Sequence, residues 1–251
     1  MKEENYRAFF FDLDGTLLPL DTHIFLKKYF ASVDEFMESK GAKLETFTPA
    51  FKKACHAMSD NCPKLTNAER FWNVLYEQLG KTNDQGLAWK DLFEEYYARV
   101  FPGLGPMFDP FPQAYKVLKV LKEKGYALVL TTMPVFPLEA LKTRLSWAEI
   151  DINIFDRVTY MDNSHSVKPR AEYFQENLDI CSCKSSEVVM VGNNTFDDLA
   201  CTKVGITPYL VTNYLINEQN VDLKDIAHGT MQDLLKWVES LPPCKDSLQC
   251  K

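Results

Sequence analysis

Residues 8–16 run Ala8-Phe9-Phe10-Phe11-Asp12-Leu13-Asp14-Gly15-Thr16. Four apolar residues in a row, with no alternation, mark a strand covered on both faces, as strands of parallel sheets are. The run ends on two aspartates one residue apart, then on Gly and Thr, which suit a sharp exit from a strand. The apolar run recurs at Tyr126-Ala127-Leu128-Val129-Leu130 and at Val188-Val189-Met190-Val191. It recurs more weakly at Pro208-Tyr209-Leu210-Val211, and Phe155 to Tyr160 fits a strand nearer an edge. Helical spacing fills the gaps. Ala114, Val117, Leu118 and Leu121 share a face, with Gly125 placed to cap it. Residues 138–145, 171–180, 197–204 (stopping at Gly205) and 231–238 read as further helices. Strands alternating with helices predict an α/β fold: a doubly wound parallel sheet with helices on both faces. In such sheets the functional crevice lies at the carboxyl ends of the strands, which is where Asp12 and Asp14 fall.

Residues 21–104 break the alternation. They hold almost no β-branched runs and read as amphipathic helices over 22–39, 45–59, 66–79 and 87–100. Asn61-Cys62-Pro63 and Asn83-Asp84-Gln85-Gly86 supply breaks, and Phe101 to Pro106 reads as turn and linker. The expected organisation is a discontinuous core, residues 1–20 and 105–251, interrupted by an all-helical cap over 21–104. Gly103-x-Gly105 is no dinucleotide fingerprint, since the third Gly and the preceding strand are missing.

Composition narrows the partners. The chain has 251 residues and a net charge of −7, so a general nucleic-acid or acidic-membrane surface is not expected. No apolar run approaches the ~18–20 residues that cross a bilayer. The start, Met1 to Arg7, carries early acids and does not read as a signal peptide. Seven Cys, an odd number with no Cys-x-x-Cys, fit free thiols in a reducing cytoplasm. The four His form no zinc spacing, and Asn193-Asn194-Thr195 is a chance sequon. The tail from Leu241 onward is expected to fray.

The Asp-x-Asp-Gly-Thr string, Thr132 after the second strand, Lys168 before a helix, and Gly192-Asn193-Asn194-Thr195-Phe196-Asp197-Asp198 after the third come in one order. That order resembles the haloacid dehalogenase superfamily over residues 7–20 and 106–212. The helical insertion resembles the cap of many members. Thr132 to Pro137 and Met190 to Asn193 resemble one subgroup of bacterial hydrolases within it.

The resemblance implies a phosphatase acting on a small phosphorylated metabolite. Asp12 is then the nucleophile, forming an aspartyl-phosphate. Asp14 is the general acid and then base, and its backbone carbonyl is a metal ligand. Thr132 holds the phosphoryl group, with Thr131 a competitor by one residue. Lys168 offsets charge between nucleophile and phosphoryl oxygens, with Arg170 ranked below it. The implied cofactor is Mg²⁺, held by Asp12, Asp14, Asn193 and Asp197. The family has Asp where this chain has Asn193, so the amide oxygen would ligate without charge, and a carboxylate there is expected to tighten the site. The family's helix register, eight residues back from Gly205, implies Asp197 as the second acid and turns Asp198 elsewhere. Basic residues of the insertion, Lys27, Lys28, Lys52, Lys53, Arg70 and Arg99, read as solvated faces, and its aromatics as core. A 2-haloacid dehalogenase, which uses Asn in the fourth motif, a phosphomutase, and a non-catalytic binding protein are the competing readings. Asp14 argues against the first and the intact acids and Lys168 against the last.

Overall fold

The computed structural model describes residues 5–60, 62–105 and 109–245. The breaks read at Asn61 and Pro106, the acidic start at Met1 to Glu4 and the tail from 246 lie outside these residues.

Six parallel strands form one sheet in the order β3-β2-β1-β4-β5-β6. They are β1 (Ala8–Phe11), β2 (Ala127–Leu130), β3 (Arg157–Val158), β4 (Val188–Gly192), β5 (Thr207–Val211) and β6 (Ala227–Gly229). Every residue of β1, β2 and β4 is buried, which is why these strands read as unbroken apolar runs. Phe9 and Phe11 face one layer, with α5 (Pro112–Glu123) and α8 (Met231–Ser240). Phe10 faces the other, with α7 (Ala171–Ile180). Strand order runs outward from β1 in both directions, so the crevice between β1 and β4 is the switch point of the sheet.

β6 carries only Ala227, His228 and Gly229, with no apolar run, and it was invisible to pattern reading. Its parallel pairing with β5 comes from tertiary placement. Residues 199–204 form a 3-10 helix rather than an α-helix, ending as expected on Gly205 in the left-handed region. The 101–104 stretch, expected as linker, is also a 3-10 helix and fully buries Phe101. The tail does not fray through its described part. Tyr126 Oη donates to Pro242 O at 2.8 Å, and Cys244 N donates to Lys124 O at 2.7 Å.

Between β1 and α5 run α1 (Thr22–Ser39), α2 (Leu44–Ala57), α3 (Asn67–Leu79) and α4 (Trp89–Arg99). Aromatic packing among Phe47, Phe51, Phe71, Trp89 and Phe93 holds them together. Thr66 and Glu69 close a capping box at the start of α3. Arg70 is not on a solvated face. It is buried, and its guanidinium donates to the carbonyls of Met58, Cys62, Leu65 and His165. Asn67, also buried, donates its amide to Pro134 O and Ser166 O. α3 is thereby tied by its first turn to the loops that follow β2 and β3. The helix α6 (Leu138–Trp147) follows β2 and buries Ala140, Leu141, Arg144, Leu145 and Trp147.

Candidate active site

β1 sits between β2 and β4, so the residues following the three strands meet. Asp12 N donates to Val191 O at 2.8 Å and Thr131 N to Phe11 O at 2.7 Å, which continues the ladder one residue past β1. Asp12 leaves the sheet into a buried crevice. Lys168 Nζ lies 2.8 Å from Asp12 Oδ1 and 2.7 Å from Asp198 Oδ1. Asp12, Lys168 and Asp198 are 8%, 3% and 2% exposed, so this triad stands almost out of water. Burial pushes the Asp12 carboxyl up to about 7 against the pull of Lys168, with Asp198 and Asp14 adding to the rise. Burial alone would push Lys168 down; Asp12 and Asp198 more than reverse that and hold its ammonium above the ordinary value.

Asp14 leaves the same turn. Its Oδ2 pairs with Arg144 of α6, while its Oδ1 is buried without a partner. Arg144 is buried under the site, 5.0 Å from the Phe136 ring centre and 5.7 Å from that of Phe25. Sequence reasoning missed it. At its position in α6 it looks like any helix-surface arginine, and only the fold shows it turned inward. The turn depends on Gly15, whose φ is +76°; a Cβ there would meet Asn193 Nδ2 at 2.1 Å.

The two threonines after β2 separate clearly. Thr131 Oγ1 is engaged with Phe11 O and Met190 Sδ. Thr132 lines the crevice, and its hydroxyl is buried with no partner. Tyr173 Oη and Thr159 Oγ1 both donate to Thr132 O, at 2.7 and 3.2 Å, and fix its backbone. Arg170 instead donates to Ser59 O, away from the acids.

The β4 exit carries one correction. Asp198 does not point elsewhere: besides Lys168, its Oδ2 accepts from Asn193 N and Asn194 N, both at 2.9 Å. Gly192 makes room for it, since a Cβ there would lie 2.2 Å from the Asp198 carboxyl. Asp197 lines the crevice more openly and accepts from Asn194 Nδ2 at 2.9 Å. Burial pushes its carboxyl up, with Lys168 opposing. Asp198 sits in the turn before the 3-10 helix, its N–H donating to Asn194 O at 2.9 Å, and this turn brings its carboxylate back to the β4 exit.

Asn193 Oδ1 accepts from the Thr16 hydroxyl at 3.2 Å, and the same hydroxyl lies 3.3 Å from Asp12 Oδ2. Asn193 Nδ2 donates to Tyr214 O at 2.7 Å. This bond gives a reason for Asn at this place: a carboxylate would set a second oxygen against Tyr214 O. Asn193→Asp is therefore expected to lower stability by about 1–3 kcal/mol, read as a drop in urea midpoint at unchanged slope. An unchanged midpoint would show that the Tyr214 contact carries no weight.

The crevice has a volume of about 260 Å³ and is lined by Asp12, Asp14, Thr132, Lys168, Asn193, Asp197 and Asp198, among others. Among the described residues no three acidic, His or Cys side chains converge as a ready chelate. The donors are a mixed set of hard oxygens, the carboxylates of Asp12, Asp197 and Asp198 and the amide oxygen of Asn193. Four acids, counting Asp14, face the two cations Lys168 and Arg144. That surplus of negative oxygen suits a hard divalent cation. The unpartnered oxygens of Thr132 and Asp14 suit a ligand that supplies hydrogen-bond partners.

The family model for haloacid dehalogenase-like hydrolases matches residues 9–211. Pyrophosphatase PpaX of Halalkalibacterium halodurans is 27% identical over 230 residues, 91% of this chain and 94% of its own. A glyceraldehyde 3-phosphate phosphatase of Methanothermobacter thermautotrophicus is 28% identical over 211 residues, 83% of this chain and 87% of its own. Among solved structures, a 2-haloacid dehalogenase from Pseudomonas syringae superposes with a TM-score of 0.62 at 18% identity, over 94% of this chain and 98% of that one. A haloacid dehalogenase-type phosphatase from Thermococcus onnurineus gives 0.56 at 20% identity, over 94% and 99%. These structural likenesses speak to the fold. Among the described residues no helix is long and apolar enough to cross a membrane.

Proposed function

The chain belongs to the haloacid dehalogenase-like hydrolases, and from that premise we propose that it is a Mg²⁺-dependent phosphatase acting on a small phosphorylated metabolite through an aspartyl-phosphate on Asp12. The observation that carries this is the second acid. Asp14 stands in the crevice with Asp12, one carboxyl oxygen on Arg144 and the other unpartnered. Attack of a carboxylate on carbon needs one acid; transfer of a phosphoryl group needs a nucleophile and a separate proton carrier. The phosphatase names of two relatives that cover most of the chain support the same choice over the dehalogenase.

In this reading Asp12 Oδ attacks phosphorus, and the oxygen–phosphorus bond to the leaving group breaks as its own forms. Lys168, already on Asp12, offsets the charge that gathers on the phosphoryl oxygens. The free Thr132 hydroxyl donates to one of those oxygens. Asp14 gives a proton to the leaving oxygen, then takes one from the water that hydrolyses the acyl phosphate on Asp12. Asp198 holds Lys168 in place through its other contact. The cation would be held by Asp12, the Asp14 carbonyl, Asn193 and Asp197, with Asp198 adjacent, and it would supply charge neutralisation for the incoming phosphate ester. The helices of 21–104 act as a cap that excludes water from the acyl phosphate.

The test is release of phosphate from a generic aryl phosphate. Turnover is expected with millimolar Mg²⁺ and is expected to vanish in excess EDTA and return when Mg²⁺ is restored. Release of halide from 2-chloropropionate with no phosphate release would instead establish the dehalogenase.

A further inference from the structure

A second and larger cavity, of about 500 Å³, lies between the helices of the insertion and the segments that follow β2 and β3. That volume is in the range of sites that enclose a whole small molecule, roughly 300–1,000 Å³. Its walls include Phe51, Met58, Phe71, Trp72, Phe93 and Met161. Its charged residues, Lys90, Glu94, Glu139 and Asp162, all stand at exposed positions and so form a rim.

The interior holds few polar atoms. The Tyr29 and Tyr97 hydroxyls lie 2.6 Å apart, and both residues line the cavity beside Cys55. Burial pushes both phenols up, and it pushes the Cys55 thiol up to about 12, so all three are neutral. Two neutral hydroxyls carry two protons, and the bond between them uses one. The other is left to donate. The cavity thus offers aromatic walls, one O–H donor and a weakly polar thiol.

Two features join this cavity to the reaction crevice. Val135, just past Thr132, lines both. Phe136, which lines the crevice, packs its ring 5.1 Å from that of Tyr29, which lines the cavity. We propose that this cavity receives the leaving-group half of the substrate, and that this half is an aromatic or similarly flat apolar group bearing one hydrogen-bond acceptor. The proposal rests on the phosphatase reading and narrows it. A glycerol or sugar half, or a second phosphate, would bring several polar atoms into a space with one spare donor, and most would lose water without replacement. This sets the chain apart from what the names of its pyrophosphatase and glyceraldehyde 3-phosphate phosphatase relatives describe.

The experiment compares kcat/KM for 2-naphthyl phosphate, phenyl phosphate and glycerol 3-phosphate with Mg²⁺. The two aryl esters have leaving groups of similar acidity, so their ratio reports burial of the second ring. That ring is expected to raise kcat/KM about 10-fold or more, and glycerol 3-phosphate is expected to be the poorest of the three. Cys55→Trp fills part of the cavity and is expected to pull the naphthyl-to-phenyl ratio toward one. A second measurement does not need that variant to fold. In wild type, 2-naphthol is expected to quench tryptophan emission saturably, in competition with 2-naphthyl phosphate, and Trp72→Phe is expected to remove most of the change. A naphthyl-to-phenyl ratio near one, faster turnover of glycerol 3-phosphate, or quenching that never saturates each overturns the proposal while leaving a phosphatase. No turnover of any phosphate ester defeats the phosphatase reading itself, and the leaving-group assignment with it.

Discussion

Asp12→Asn is expected to reduce phosphate release by ~10³-fold or more, because an amide oxygen is a poor nucleophile and no other carboxylate is placed to attack. Asp198 is the near alternative. Its two oxygens are occupied by Lys168 and by the Asn193 and Asn194 N–H groups, so it cannot turn toward phosphorus without releasing the β4 exit. The exchange keeps size and shape. The Lys168–Asp198 pair survives it, and the amide oxygen can still accept from Lys168 while the amide N–H faces the Thr16 hydroxyl. Near-native circular dichroism and thermal midpoint are therefore expected beside the lost turnover. A variant that folds normally and keeps more than about a tenth of the rate would remove Asp12 from the nucleophile's role.

Asp14→Asn is expected to cut turnover by ~10²–10⁴-fold through loss of the proton carrier. The structure adds a second consequence. Arg144 is 1% exposed, and Asp14 is its ion-pair partner. The variant leaves that guanidinium facing an amide, so stability is expected to fall as well, by about 3 kcal/mol. Activity and stability can be separated with Asp14→Asn/Arg144→Met, which replaces the orphaned cation by an apolar chain between Phe25 and Phe136. The double variant is expected to recover most of the stability and none of the turnover. Recovery of turnover along with stability would show that Asp14 acts only by holding the fold, and would revive the dehalogenase and binding readings.

The metal-dependent test and Asn193→Asp bear on the same crevice from another side. Tyr214 O, 21 residues from Asn193 in the chain, accepts its amide proton, and this contact constrains that position before any cation is considered. Asp197 and Asp198 supply carboxylates at the same strand exit.

The sheet was legible in the sequence because β1, β2 and β4 are buried on both faces, and such strands must be apolar throughout. The four inserted helices were legible from their amphipathic spacing, α1 to the residue. Asp12, Asp14, Thr132 and Lys168 were nameable from the order of motifs the chain shares with the family, and the fold brings all four to one crevice. What local pattern could not carry came from tertiary placement. β6 has no apolar run and exists by pairing with β5. Arg70 and Arg144 carry ordinary helix-surface residue types, and burial became tolerable only where distant carbonyls or Asp14 met them. Asp198 meets Lys168 from the turn that leaves β4, where its N–H bonds Asn194 O and its carboxylate takes the Asn193 and Asn194 N–H groups. Periodicity reports the burial a segment would have if regular; which of two adjacent side chains faces inward depends on the winding it adopts against its neighbours.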